Sequence, residues 1–493
     1  MSTSVTEPDR TAPAAAGAVV AVLAFTGIVV SLMQTLIIPL IPQLPTLLDA
    51  KPADTAWAVT ATLLAGSVAV PVMGRLGDMF GKRRLLLISL ALMIVGSVVG
   101  ALSDSVVPLI VGRALQGAAA GVIPLGISIM RDVLPREKLA GATATMSASL
   151  GVGGALGLPA AALTAEYADW HMLFWGAAAF GVLVTGLVLA VVPESRMRTG
   201  GKFDAVGAAG LSIALVSLLL AVSKGSSWGW TSPTTLILFV VSILVLAFWG
   251  WWELRTSQPL VDLRVSARRQ VLLTNLASVM FGFAMFALTL VFPQVLQLPT
   301  ETGFGLGRSM LVTGLVMAPS GIVMMLVAPL SSRITTTRGP RVTLMIGAAI
   351  VAIGYLFGVV AMSALWHLVV ISSIIGIGVG LAYGAMPALI MGAVPPSETA
   401  AANSLNTLMR SLGTSIASAG IGVILAQMTI TVGSTEIPSE RGFHVTMAIA
   451  AGAALVAIAL SAFLPKFVPG KSVATKVDTE PKVDTEPEAL TRN

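Results

Sequence analysis

Apolar runs of about 20 residues recur along the whole of this 493-residue chain, separated by short polar or basic segments. A run of that length crosses a hydrocarbon core of about 30 Å. A backbone surrounded by lipid must satisfy its own hydrogen bonds, which a helix does within itself. Apolar residues make up 56% of the chain and charged residues 11%, against about 25% charged in soluble domains. The chain reads as an all-α polytopic membrane protein. Helices are expected at about 17–42, 54–75, 84–103, 106–130, 139–164, 171–192, 205–223, 233–252, 270–295, 309–331, 341–361, 365–391, 399–425 and 443–464. That makes fourteen, and an even number puts both ends of the chain on one side.

The distribution of basic residues sets the side. Of the 29 lysines and arginines, Lys51, Lys224, Arg308 and Arg441 fall on one side and Arg113 and Arg410 inside helices, leaving 23 on the side of the termini. By the positive-inside rule that side is cytoplasmic, which makes this a multi-pass cell-membrane protein with both termini in the cytoplasm. The net charge of +6 is then topological, and no nucleic-acid partner is expected. The polar, alanine-rich first 16 residues are not patterned as a cleaved signal peptide. A tail over 465–493 repeats KVDTEP at 476–481 and 482–487, and reads as a disordered solvated segment, with a docking role as the alternative.

No cysteine is present, and His171, His367 and His444 are scattered, so thiolate chemistry and a histidine metal site are excluded. No GxxxxGK[ST] phosphate loop occurs either. An enzyme, a cofactor and an ATP-driven pump all lack support.

Between the second and third runs lies GRLGDMFGKRR, residues 74–84. Gly74 permits close helix approach, Gly81 permits a sharp turn, and Asp78 is the one acid among four basic residues. The spacing resembles the loop between helices 2 and 3 of the major facilitator superfamily, G-x-L-x-D-x-x-G-[RK]-[KR], matched by Gly74, Leu76, Asp78, Gly81, Lys82 and Arg83. A degenerate echo, PLSSRITTTRGPR at 329–341, keeps Arg333, Gly339 and Arg341 and loses the acid. The resemblance implies a major facilitator fold of six, two and six helices, with bundles over 17–192 and 270–464, a linker region with two extra helices over 193–269, and substrate near the midplane. Asp78, Arg83, Arg131 and Asp132 are expected to form a cytoplasmic charge cluster that latches one access state.

Three further stretches carry resemblances. LIVGRALQGAAAG on helix 4 places Arg113 and Gln116 on one face and is similar to the family's R-x-x-Q-G motif, associated with proton coupling or substrate contact. The alternative is a structural arginine bonded to carbonyls of a neighbouring helix. On helix 5, SLGVGGALGLPAAAL resembles the antiporter motif of drug exporters, with Gly153, Gly157 and Pro159 matching and Ala161 and Ala162 departing from it. Asn403, Asn406, Arg410 and Gly413 form a polar stripe on helix 13, similar to fourteen-helix members. Residues 193–211 and 258–265 are also similar to that drug:proton antiporter subfamily.

Helix 1 departs from the subfamily pattern. Met33 stands in Leu32–Thr35 where an aspartate is expected, and none of the 23 acids reads as the middle of a helix. A proton-coupled carrier needs a group that binds and releases a proton, usually an acid in a dry cavity. Glu166 and Asp169 are the candidates, with Asp132 next and Arg113 implied by the resemblance. The cavity is expected to be broad and apolar, with Met33, Gln34, Gln116, Gly157, Pro159, Gln294, Gln297, Asn403, Asn406 and Arg410 as candidate lining residues. The expectation is a monomeric multidrug or antibiotic efflux antiporter, exporting a small lipophilic molecule by alternating access in exchange for protons. An importer or uniporter for a small metabolite, or a non-transporting membrane sensor, is the alternative.

Overall fold

The computed structural model describes residues 13–40, 43–195, 197–432 and 435–466. The repeated KVDTEP tail and most of the N-terminal tail lie outside the described residues. Among the described residues, fourteen helices are long and apolar enough to cross a membrane. The first six are α1 (Pro13–Thr35), α2 (Trp57–Phe80), α3 (Lys82–Ala101), α4 (Val106–Ala118 and Val122–Val133, joined by a 3-10 turn), α5 (Arg136–Tyr167) and α6 (His171–Val191). Next come α7 (Ala205–Trp228) and α8 (Pro233–Arg255). The last six are α9 (Arg269–Gln297), α10 (Met310–Leu326, continued by Ala328–Arg338), α11 (Pro340–Val360), α12 (Leu365–Met391), α13 (Thr399–Gln427) and α14 (Glu440–Ala462). A short hairpin of β1 (Thr429–Val432) and β2 (Thr435–Pro438) joins α13 to α14, with Ile430 opposite Ile437.

Three boundaries differ from the sequence reading for identifiable reasons. Helix α1 stops at Thr35 instead of continuing to 42 and gives way to a 3-10 turn over Ile38–Leu40, because Pro39 offers no N–H to a continuing helix. The stretch 74–84 is no loop. Helix α2 runs to Phe80, α3 begins at Lys82, and the whole connection is Gly81 at φ 113°, a backbone conformation that suits glycine. The echo near 329–341 is built the same way, with α10 helical to Arg338 and Gly339 at φ 90° as the hinge into α11. Helix α8 extends to Arg255, which brings Glu253 into its last turn.

Helices α1–α6 pack around one apolar core that includes Leu23, Leu86, Met93, Leu125 and Met130. Helices α9–α14 pack around another, built on Phe281, Phe292, Tyr355 and Phe443. The two halves meet along α5 against α10 and α12, and along α2 and α4 against α13. The α5–α10 seam runs the length of both helices, from Gly141 beside Ser332 to Pro159 beside Gly314. Small residues bring backbones together there: a β-carbon on Gly321 would stand 2.8 Å from the backbone carbon of Gly151 and 2.5 Å from the Ala155 β-carbon.

The α7–α8 hairpin lies outside both halves. Helix α7 packs on α2 and α13, and Ala208, Leu211, Leu215 and Trp249 form a small core with Leu408 of α13 and Val72 of α2. Helix α8 turns Ile237, Val240, Ile243, Leu244 and Phe248 outward, an apolar face suited to lipid.

Gly321→Val sets a branched side chain against the Gly151 backbone and forces α5 and α10 apart there. The expected result is a lower thermal unfolding midpoint of the purified protein, equivalent to about 1–3 kcal/mol of overpacking.

Candidate functional site

The connections after α2, α4, α6, α8, α10 and α12 share one end of the molecule with both described chain ends, and all but the last carry basic residues; this end is called the basic face. Here α2 and α13 approach closely. A β-carbon on Gly74 would meet the Ser404 hydroxyl and stand 2.9 Å from the Ala400 carbonyl oxygen. One turn further along α2, Asp78 is fully buried, and its carboxylate accepts hydrogen bonds from Ala400 N (3.3 Å) and Ala401 N (2.9 Å).

Those two N–H groups belong to the first turn of α13, which begins at Thr399. A helix start leaves four N–H groups without internal partners and carries a partial positive charge. Helices usually cap themselves with the side chain just before the first turn. Glu398 holds that place in α13 and makes no such bond. Asp78 caps α13 from the other half of the molecule.

The supporting charges come from the motif and its neighbours. Lys82, also fully buried, lies 3.7 Å from Asp78 and 2.6 Å from Asp132 at the end of α4. The Ser195 hydroxyl donates to Asp132, and Thr199 N donates to the Asp78 carbonyl (2.9 Å), so the segment after α6 runs over the cluster. Arg131 reaches across to the other half, donating to the Thr399 hydroxyl and to the carbonyls of Val394 (3.2 Å) and Pro395 (3.5 Å).

One member of the expected cluster is elsewhere. Arg83 donates to the Leu189 carbonyl of α6 (2.6 Å). Lys82 opens α3 four residues beyond Asp78 and faces it, and successive helix positions differ by about 100°, which swings Arg83 toward α6. Sequence reasoning also missed the target of Asp78: bare backbone N–H groups carry no residue signature, and only the lack of a capping side chain at Glu398 hints at them.

Arg113 is 1% exposed and wholly engaged. It donates to Met33 O (2.9 Å), Gln34 O (3.2 Å), Ala58 O (3.4 Å) and Gln116 Oε1 (2.7 Å), while Gln116 donates to Ser97 (2.8 Å). The carbonyls of Met33 and Gln34 lie where α1 ends, so Arg113 ties α4 to the last turn of α1 and the first turn of α2. A cavity of about 10 Å³ adjoins Met33, Arg113 and Gln116, room for about one water.

The other candidate lining residues are dispersed. Gly157 packs on Thr35 in the α1–α5 seam, and Pro159 on Gly314 in the α5–α10 seam. Gln294 donates to its own helix at Leu290 O (3.1 Å), and Gln297 is exposed at the end of α9. Asn403 donates to Thr399 O (2.9 Å), while Asn406 donates to Asn275 (2.9 Å) and Ser278 (2.7 Å) of α9. Half-buried Arg410 lies over the Tyr383 ring at 4.6 Å, and Phe281 meets that ring edge-on. In this conformation the ten candidates do not surround one cavity.

Asp169 is exposed at the start of α6, on the face opposite the basic one. It accepts from His171 N (2.8 Å) and lies 2.5 Å from the His171 ring. These hydrogen bonds hold its carboxyl below the usual aspartate range. The dry surroundings expected of a proton carrier are absent there. The side chain of Glu166 lies outside the described residues. Among the described residues, no group of three or more acids, histidines or cysteines is placed to hold a metal.

The family model for the Major Facilitator Superfamily matches residues 23–418, and the chain belongs to that superfamily of membrane transporters. It is similar to an uncharacterized MFS-type transporter of Mycobacterium tuberculosis, 27% identical over 85% of this chain and 61% of that protein. The chain thus spans about three fifths of that relative's length. Multidrug resistance protein Stp of the same species is 27% identical over 75% of this chain and 68% of its own. Multidrug resistance protein 3 of Bacillus subtilis is 25% identical over 73% and 70%. The fold matches the crystal structure of the human organic anion transporter MFSD10 (TETRAN), with TM-score 0.64, 16% identity, and coverage of 92% of this chain and all of that one.

Asp78→Asn keeps an acceptor for the α13 N–H groups and loses the charge; Asp78→Ala loses both. Alanine is expected to weaken the closed basic face by about 1–2 kcal/mol, or about 5–30-fold in the closed-to-open ratio, and asparagine by less. Inter-label distances across that face measure the ratio. Both variants are expected to impair transport at unchanged membrane levels. Asp169→Asn is expected to leave the pH dependence of transport unchanged. A lowered carboxyl is already ionised at neutral pH, and whatever it stabilises is lost only as pH falls through its own acidic range.

Proposed function

We propose that this Major Facilitator Superfamily transporter is a secondary active exporter of lipophilic compounds, working by alternating access in exchange for protons, and seen here with its basic face shut. The reading places the basic face in the cytoplasm, by the positive-inside rule. The moving bodies are the bundles over 17–192 and 270–464.

The observation that carries the mechanism is the cap on α13. Asp78, on one bundle, satisfies the first turn of a helix on the other, and Arg131 adds bonds to Thr399 and Val394 across the same seam. These contacts join elements that must separate when the basic face opens, and they exist in only one of the two access states. Differential contacts of this kind bias a two-state equilibrium. Substrate entering from the cytoplasm or the inner leaflet requires the cap to break, and release to the opposite side requires it to re-form.

Export of lipophilic compounds is supported by several features together. Two similar bacterial proteins are named multidrug resistance proteins, and helix α5 carries the glycine-rich stretch with Pro159 that resembles the antiporter motif. The α5–α10 seam holds flexible thioethers, with Met324 against Gly151, which suits loosely specified apolar ligands. Arg410 over Tyr383 is the site we assign to substrate contact in the second bundle, an aromatic surface beside a cation held by α12 and α13. Arg113 acts as a positioning residue, holding the end of α1 against α4. The importer or uniporter reading has one observation behind it: Met33 stands where the subfamily has its acid.

Everted vesicles carrying the protein, loaded with a pH-sensitive dye and energised, test the reading. Adding lipophilic dyes and cations is expected to raise luminal pH as each compound enters, with no response in vesicles lacking the protein. Accumulation without any pH response would overturn proton exchange. Compound movement only down its own gradient would overturn export in favour of the uniporter.

A further inference from the structure

Two acids sit at the base of the α7–α8 hairpin, outside both bundles. Asp204 is 9% exposed and Glu253 2% exposed. Asp204 caps α7, accepting from Gly207 N (2.8 Å), and both its oxygens accept from the Trp252 ring nitrogen (3.1 and 3.2 Å). Glu253 Oε2 has a weak donor in Val261 N at 3.4 Å, with the Leu260 N–H and the Trp249 ring nitrogen also beside its carboxylate. Its other oxygen, Oε1, is buried with no hydrogen-bond partner, as is the ring nitrogen of Trp249 beside it.

The two carboxylates share Gly207. A β-carbon there would stand 2.6 Å from Glu253 Oε1 and 2.9 Å from the Asp204 carboxyl carbon. Glycine at 207 is what lets two acids close on one point.

No cation offsets them among the described residues. Helix α2 presents Val72 to this core, and α13 presents Leu405, Leu408 and Leu412. On the hairpin itself, Arg255 stacks on Trp251 and Lys224 on Trp57 at the far end of α7. In the following link, Arg264 donates to Leu254 O (2.7 Å), and Asp262 accepts from Arg264 N and Val265 N. Arg75, Glu398 and Asp262 line a neighbouring cavity.

A buried ionised carboxylate without a counter-charge costs several kcal/mol, and a second one beside it raises that cost. The arrangement has one economical solution, and it also supplies the missing hydrogen bond. We propose that Glu253 and Asp204 form a proton-binding site, with a single proton on Glu253 Oε1 donated to Asp204 Oδ2, through which pH at the basic face controls closure. The proton is placed on Glu253 because its Oε1 has no partner, whereas both Asp204 oxygens already accept hydrogen bonds.

The link to closure is structural. Val261, bonded to Glu253, and Leu260 pack into the same small core as Leu408 of α13. The same two residues line a cavity of about 210 Å³ together with Arg75 of α2 and Ala401 of α13, whose N–H is capped by Asp78. Loss of the proton, to water at the basic face, leaves two charges repelling across Gly207. That repulsion displaces Leu260 and Val261 from Leu408 of α13 and from the cavity they share with Ala401, and the basic face opens. The site itself stands independently of proton-coupled export; its role in the transport cycle rests on that reading.

The chain has no cysteine, so spin labels at Arg84→Cys and Thr337→Cys, both exposed on the basic face, report its opening in the full-length protein in detergent. Raising the pH is expected to shift the distances outward, with the closed-to-open ratio falling by up to about tenfold per pH unit, the limit for one proton. Glu253→Gln, a neutral donor of the same shape, should hold the closed distances at every pH. Infrared spectra of the unlabelled protein should show a protonated-carboxyl band that titrates in the wild type and is lost in Glu253→Gln. A band unchanged in that variant overturns the site. A band lost while the pH-driven opening persists overturns the coupling to closure. Neither measurement needs a substrate, so failure of proton exchange in vesicles leaves both results intact.

Discussion

The closed basic face depends on a cap supplied in trans. Helix α13 starts with no side chain of its own to satisfy its first turn, and Asp78, rooted in α2, completes it. That one interaction explains several neighbouring choices. Gly74 has no β-carbon because α2 must come within reach of Ala400 and Ser404. Gly81 turns the chain in a single residue, so that Lys82 faces back to Asp78. Burying a carboxylate is unfavourable without donors and a counter-charge, and the motif assembles both: two backbone N–H groups from one bundle and a lysine from the other.

Much of this was legible in the sequence, and the limit falls at a physical boundary. Fourteen apolar runs announce fourteen helices because membrane length and hydropathy leave little freedom. The spacing of Gly74, Asp78, Gly81 and Lys82 announces a conformational motif. The partner of Asp78 is invisible in the sequence, since the groups it meets are the peptide N–H groups of two alanines 322 and 323 residues away. Arg83 and Lys82 differ only in which way a helix start rotates them. Glu253 falls just past the expected helix end at 252, because WWELR looks like a helix entering water; the structure keeps it in the last turn of α8, one turn from Trp249, which packs in the small core with Leu408.

Arg113 shows the same limit from the other side. An arginine in an apolar run reads as functional because charge is costly there. The structure accounts for its donors with the Met33 and Gln34 carbonyls left open where α1 ends, and with a longer bond to Ala58 O, a carbonyl shared with the Thr62 hydroxyl. A cation at such a place is explained by backbone accounting alone. The role of Gln116 follows: it fixes the guanidinium and passes the network on to Ser97.

A clasp meant to open repeatedly must not leave a bare charge behind when it does. An ion pair across the two bundles would fail that condition, since breaking one partner from a buried pair costs about 3–5 kcal/mol. The arrangement here divides the work differently. The Asp78–Lys82–Asp132 charges all belong to the first bundle, so they stay together whether the face is shut or open. What breaks is the set of hydrogen bonds to the start of α13 and those of Arg131 to Thr399 and the 394–395 carbonyls. Those groups gain water as the face opens, so each bond contributes only about 0.5–1.5 kcal/mol net. A handful of such bonds holds the face shut by a few kcal/mol, within reach of the differential affinity that a ligand can supply. The extra hairpin adds to the same balance, because Leu260 and Val261 of its link pack into one core with Leu408 of α13 and line a cavity with Ala401.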